Sequence, residues 1–325
     1  MAKRIIGFLF SFCCRFVLFF VPAKYFNGSK ELFAGDLCLF FAFDQKALEF
    51  YRKAREYFMR DNDVLKRIAS TLTKIKAYEE AIEIYQGITS KYQDYEIFYL
   101  WAKALEKQGN YIQAIEKYNQ AIELNPLFVY AYWGWANILE EQGETELAIE
   151  KYNIALSLTP NDSDLLVSMG LCLEASGKLK EACKVLKKAT IIKPDMPEAY
   201  FAWGTVLEKM RKYPSAIEKY KIAVSIDPHY IDVYNRWGEV LFLLGRYEDS
   251  IEVYKTAIKI EPNHPWSLYD IACVYVKVNK LNEAINYLVK AVKIDKSLVT
   301  EINDNPNLSP VRENARMQGV LKRFA

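Results

Sequence analysis

The chain has 325 residues, 51% of them hydrophobic, and a formal net charge of +2. A balance this close to neutral argues against wholesale nucleic-acid binding, and so large an apolar fraction supplies a core without disulfides or a structural metal. Cys13, Cys14, Cys38, Cys172, Cys183 and Cys273 show no C-x-x-C or metal-ligand spacing and read as buried free thiols.

In chain order, the first predicted element is an apolar run at 5–21, flanked by Lys3, Arg4 and Pro22. Its seventeen residues stand at the short limit for a membrane span, with Arg15 near the centre. Twelve Ile, Leu, Phe and Val residues at about −0.3 to −0.6 kcal/mol each outweigh one Arg at about +3 kcal/mol. Three readings fit: a signal-anchor tethering the rest of the chain, a cleaved signal peptide with Val21 and Ala23 before Lys24, or a helix folded onto the first repeat units. The first makes the protein membrane-associated through 5–21; the others make it cytoplasmic or exported. Lys3 and Arg4 favour a cytoplasmic N-terminus, a bias that Lys24 and Lys30 nearly cancel.

Two degenerate units are expected next, 28–61 with Gly35, Ala47, Tyr51 and Ala54, and 62–94 with Tyr78, Ala81 and Tyr85. From residue 95 a strict period of 34 sets in, marked by Pro126, Pro160, Pro194, Pro228 and Pro262. Proline lacks an N–H and clashes with the preceding helical turn, so prolines in one phase mark copies of one helix end. Ala114, Ala148, Ala182, Ala216 and Ala284 keep the same phase, with Ser250 in the gap. So do Ala121, Ala155, Ala189, Ala223, Ala257 and Ala291, and Tyr118, Tyr152, Tyr220 and Tyr254 with Leu186 and Leu288 substituting. Gly109, Gly143, Gly177 and Gly245 mark a turn that Arg211 and Asn279 fill in two copies.

Each unit therefore reads as helix, turn, helix, Pro-marked turn. In 129–162, Tyr132, Trp135, Ala136 and Leu139 fall at i, i+3, i+4 and i+7, one face of a helix, and Ala148, Ile149, Tyr152, Ala155 and Leu156 form the facing stripe. Alanines let two backbones approach, and large Trp and Tyr side chains fill the space between units. One such pair cannot bury its apolar face alone, so neighbours must stack.

The pattern resembles the tetratricopeptide repeat family, a 34-residue helix–turn–helix. Unit 197–230 carries it as Tyr200, Trp203, Gly204, Leu207, Tyr213, Ala216, Tyr220, Ala223 and Pro228, with Trp where the family has Leu and Tyr where it has Trp. Six units match well over 95–298, the last with Lys296 in place of proline. The resemblance implies an all-α, right-handed superhelical solenoid of about eight units. Beyond 298, Asn305-Pro306-Asn307 reads as a turn and Ser309-Pro310 as the start of a helix that caps the last unit. The expected organisation is a hydrophobic N-terminal segment at 1–27, degenerate units at 28–94, matched units at 95–298 and the cap at 299–325.

No Gly-rich phosphate loop, G-x-S-x-G elbow or H-E-x-x-H pattern occurs, and His229 and His264 both sit in turns just after a repeat proline. The sequence predicts no catalytic residues, no cofactor, no metal and no nucleic-acid partner. The resemblance implies instead that the first helix of each unit lines a concave face where partner peptides bind. By repeat position that face carries Tyr99, Lys103, Tyr130, Trp133, Asn137, Phe201, Asn235, Arg236, Trp266 and Tyr269. Gly134, Ser168 and Ala202 would leave pockets between them, and Glu96, Glu140, Glu141, Asp164, Glu174, Glu198, Glu208, Asp232 and Glu239 add negative charge. The expected groove favours a peptide with apolar and basic residues; the alternative for each aromatic is packing between neighbouring units. The carboxylate-clamping subtype of the family is disfavoured, because Asp232 stands where it has Lys and Ala202, Val167 and Leu171 stand where Asn, Lys and Asn are required. The expected function is a non-catalytic scaffold for proteins or peptides, or else an accessory subunit that positions substrate for an enzyme or secretion complex.

Overall fold

The computed structural model describes residues 27–40, 42–57 and 61–324, and every regular element among them is a helix. The chain divides into two compact units, 1–159 and 160–325. The first holds four helical hairpins: α1 (Asn27–Phe40) with α2 (Asp44–Tyr57), α3 (Asn62–Lys74) with α4 (Tyr78–Thr89), α5 (Tyr95–Gln108) with α6 (Tyr111–Leu124), and α7 (Val129–Glu141) with α8 (Thr145–Leu158). The second also holds four: α9 (Ser163–Ala175) with α10 (Leu179–Ile192), α11 (Pro197–Lys209) with α12 (Tyr213–Ile226), α13 (Ile231–Leu243) with α14 (Tyr247–Ile260), and α15 (Pro265–Lys277) with α16 (Leu281–Ile294). Each unit is thus the all-α repeat array that the period predicts.

The hairpin turns follow one hydrogen-bond scheme. After α5, Gly109 N–H donates to the Glu106 carbonyl at 3.0 Å and Asn110 N–H to the Leu105 carbonyl at 2.9 Å. These are the two bonds of a Schellman cap, which needs a left-handed residue at its centre. Gly109 supplies it at φ 87°. Arg211 (φ 58°) and Asn279 (φ 56°) adopt the same conformation where units of 95–298 lack the glycine, as do Ala42 (φ 55°) and Lys76 (φ 66°) in the first two hairpins.

The repeated alanines lie in the core. Ala114, Ala121, Ala148, Ala155, Ala182, Ala189, Ala216, Ala223, Ala257, Ala284 and Ala291 are fully buried. At Ser250 the added hydroxyl is satisfied by donating to the Gly238 carbonyl at 2.7 Å, so the polar substitution leaves no orphaned group. The Trp that replaces the family's Leu also has a partner. The ammonium groups of Lys117, Lys151 and Lys219 each lie 4.5 Å from the ring centroid of Trp101, Trp135 and Trp203. Such a contact is worth about 0.5–1 kcal/mol at a partly exposed site.

Past α16 the chain forms α17 (Leu298–Asp304), a 3-10 turn at Pro306–Leu308, α18 (Ser309–Arg312) and α19 (Ala315–Phe324). Leu298, Ile302, Leu308, Val311 and Met317 are buried in the same cluster as Ala284, Leu288 and Ala291, so this segment covers the last hairpin. Ser309 is the first residue of its helix rather than the cap. Asn305 caps the turn before it, its side chain accepting from Asn307 N–H at 3.0 Å.

One expectation is corrected. No helix among the described residues is long and apolar enough to cross a membrane. The run at 5–21 lies outside the described residues, so nothing supports membrane association through the N-terminal segment.

Candidate binding surface

In the first unit, α5, α7 and the turn between α6 and α7 assemble a row of aromatic rings. Ring centroids are 5.2 Å apart for Tyr99 and Phe128, 5.7 Å for Phe128 and Tyr130, and 6.4 Å for the stacked pair Tyr130 and Trp133. Tyr99 rests 6.0 Å from the buried ring of Tyr118. Tyr130 is 52% exposed, and Leu127 beside it in the turn is 72% exposed. The sequence named Tyr99, Tyr130 and Trp133. It missed Phe128, which sits before the helix start and outside the helical spacing.

Lys103 and Asn137 are engaged within the fold. Lys103 Nζ pairs with Glu106 at 2.8 Å, while the other Glu106 oxygen accepts from the Tyr118 hydroxyl. Asn137 Oδ1 lies 2.7 Å from the Tyr152 hydroxyl, which also lies 2.9 Å from Glu140. In the second unit Tyr220 donates to Glu208 at 2.7 Å. A buried tyrosine on the second helix thus meets a glutamate near the end of the first, in three hairpins of the same phase. Burial raises the carboxyl pKa of Glu140 and Glu208, and burial together with the nearby carboxylate raises the Tyr118 and Tyr220 phenols, which stay neutral donors. Glu174, opposite Leu186, pairs instead with Lys209 at 3.1 Å.

The other expected residues are in the second unit. Phe201 is partly buried, 6.1 Å from Tyr220 and 5.3 Å from Tyr230. Asn235 accepts from the Ser267 hydroxyl at 2.6 Å. Arg236 reaches Glu208 at 3.0 Å and Glu239 at 2.8 Å. Trp266 is 43% exposed and meets Tyr269 edge-on at 5.9 Å. Tyr269 is itself buried, its hydroxyl accepting from Asn305 Nδ2 at 2.8 Å, and burial pushes that phenol up to about 12.

Two turn and pocket expectations change. Gly134 leaves no pocket: a Cβ there would stand 2.4 Å from the Tyr118 ring. His264 is no bystander in its turn. Its Nδ1 accepts from Ser267 N–H at 3.1 Å and caps α15, whereas His229 is exposed.

The hairpin length, the left-handed turn and the buried alanines define a helical-repeat protein. Models described as tetratricopeptide repeat match residues 99–164 and 267–298, and one described as TPR repeat matches 238–279. Residues 99–164 and 238–298 thus carry tetratricopeptide repeats. No curated protein matches it. Among solved structures, it is similar to a chain of the APC/C hetero-tetramer Cut9–Hcn1, with 17% identity, a TM-score of 0.55, and coverage of 93% of this chain and 57% of that one. That likeness is one of fold. MamA is 24% identical over 53% of this chain and 94% of its own (TM-score 0.47). YrrB, described as a TPR protein with an unusual peptide-binding site, is 23% identical over 56% and 94% (TM-score 0.46).

Proposed function

We propose that the protein is a non-catalytic scaffold that binds partner polypeptides along the first helices of its hairpins. One observation carries the reading: Tyr99, Phe128, Tyr130 and Trp133 form a continuous aromatic row in which Tyr130 is exposed and the other three are half-buried. A hydrophobic core does not require these rings at its rim, and aromatic side chains are enriched where binding energy concentrates. Helices that present such a row accept an extended or helical peptide with apolar anchors.

The test uses dodecapeptides selected from a random display library against the full chain. Replacing Trp133 and Phe201 together by Ala should weaken the selected peptides at least about tenfold, a loss of about 1.4 kcal/mol. Helical circular dichroism should be largely kept. Equal binding by the double variant and the parent would rule these helix faces out as the docking surface.

A further inference from the structure

The tyrosine–glutamate pairing fails at the hairpin of α13 and α14. Phe242 occupies the place that Glu106, Glu140 and Glu208 hold in their hairpins, so Tyr254 meets no glutamate at that place. Tyr254 is only 2% exposed, and among the described residues its hydroxyl forms no hydrogen bond. Asp270 on α15 stands one repeat after Arg236, which meets the Tyr220-bonded Glu208, so the register brings it to the same place against Tyr254; its charge and that of Glu239 on α13 both act on the phenol.

Asp270 is equally unsatisfied. It forms no hydrogen bond or ion pair among the described residues. The cation that acts on it, Arg236, is already shared between Glu208 and Glu239. The groups facing Asp270 are Glu239 and Arg236 from α13, Tyr254 from α14 and Cys273 from its own helix. Glu208, Glu239 and Asp270 against one Arg236 leave an excess of negative charge. The entrance is open, for the Glu239 side chain is 48% exposed. A second break of the same kind lacks this chemistry. At α3 and α4 Thr73 replaces the glutamate, and the Tyr85 hydroxyl is buried without a partner, but no carboxylate acts on it.

We propose that Asp270, Glu239 and Tyr254 form a receptor for one basic side chain, arginine or lysine, of a bound polypeptide. The partner class rests on the peptide-binding reading; the cation site rests on this cluster. A guanidinium or ammonium group entering past Glu239 would pair with the Asp270 carboxylate and donate to the Tyr254 oxygen, supplying the bonds the fold leaves unmade. The ordinary alternative for an unpaired, partly desolvated carboxyl is to take up a proton. Burial, chiefly, and Glu239 push Asp270 up to about 7, so the free site is poised between the two forms and a cation displaces the proton.

The experiment follows the Asp270 carboxyl carbon by NMR in the full chain, assigned by its loss in Asp270→Asn. N-acetyl-arginine amide and N-acetyl-lysine amide are titrated in, with N-acetyl-norleucine amide as the neutral control. The expected result is an apparent pKa near 7 alone that falls by about one unit or more with at least one cation, a tenfold or greater preference for the ionised form, and not with norleucine amide. Tyr254→Phe should shrink that fall. No movement, equal movement with norleucine amide, or an Asp270 that titrates near 4 in the free chain because Arg236 has taken it would overturn the proposal. The selected dodecapeptides separate the two readings. Peptides that bind with no basic residue enriched, or with the same enrichment on Asp270→Asn, keep the docking surface and sink the receptor. A cation-driven shift with no peptide selected keeps the receptor and sinks the docking surface.

Discussion

The hairpin of α11 and α12 and the junction of α13, α14 and α15 are built to one plan and differ in a single electrostatic respect. In the first, the buried Tyr220 donates to Glu208, and Glu208 also meets Arg236. In the second, Tyr254 has Phe242 in place of that glutamate and looks onto Asp270, which comes from the next hairpin and has no bonded cation. A polar group buried with its partners contributes to the fold; one buried without them costs stability and stays available. The repeat architecture tolerates the second arrangement because the apolar packing around it is kept. Ala257, Ile271 and Ala272 remain fully buried there.

The largest effect should come from neutralising Asp270. Its folded-state pKa, about 7, lies above the ordinary carboxyl value of 3.8. The native state therefore binds the proton more tightly than the unfolded chain. Stability linked to this group is fully present below about pH 4 and is lost as pH rises through about 7. Asp270→Asn removes the ionisation, so it should stabilise the protein by on the order of 2 kcal/mol at pH 8 and by little at pH 4. Urea denaturation of both chains across that range checks it. A variant that gains nothing at high pH would show that the junction carries no unpaired charge and that the two regions are electrostatically alike.

Much of this was legible in the sequence. Phase alone placed the turn, and the left-handed φ of Arg211 and Asn279 arises because the Schellman bonds dictate the backbone whichever residue stands there. The alanine ladders were legible because they keep the phase of the prolines, and every alanine in them is fully buried. The surface was read less well. Lys103, Asn137 and Asn235 were expected to face a partner, yet each is held by an internal bond that links separate helices or a neighbouring turn of one. Glu106, Glu140, Glu174 and Glu208 recur every 34 residues, a signal as regular as the prolines. Read as surface charge, Glu140 and Glu208 hid their tyrosine partners, since the partner lies across the hairpin. Asp270 was illegible for the same reason at longer range: its significance depends on Phe242 in the preceding hairpin.

A second test removes one oxygen from each region. Tyr220→Phe leaves Glu208 half-buried without its phenol donor and should cost about 1–1.5 kcal/mol. Tyr254→Phe deletes a hydroxyl that forms no hydrogen bond among the described residues, and should fall within about 0.5 kcal/mol of the parent. Thermal denaturation near neutral pH measures both. Equal losses would mean that Tyr254 has found a partner, and with it that the junction is as well satisfied as its neighbour.

The smallest expected effect lies in the turn that fixes Glu208. Arg211 N–H donates to the Glu208 carbonyl at 2.7 Å, and Lys212 N–H to that of Leu207 at 2.8 Å, so this glutamate's backbone is set by a left-handed arginine. A side chain with a Cβ pays about 1–2 kcal/mol for that conformation, while glycine pays only in the entropy of the unfolded chain. The two nearly offset, and Arg211→Gly should stabilise the protein by about 0.5 kcal/mol. Because the arginine side chain is exposed, its removal should not reach the Tyr220–Glu208 bond. Combined with Tyr220→Phe it should therefore be additive to within about 0.5 kcal/mol. Non-additivity beyond that would locate part of the tyrosine–glutamate pairing in the turn itself, and the contrast with the α13–α15 junction would then be one of backbone as well as charge.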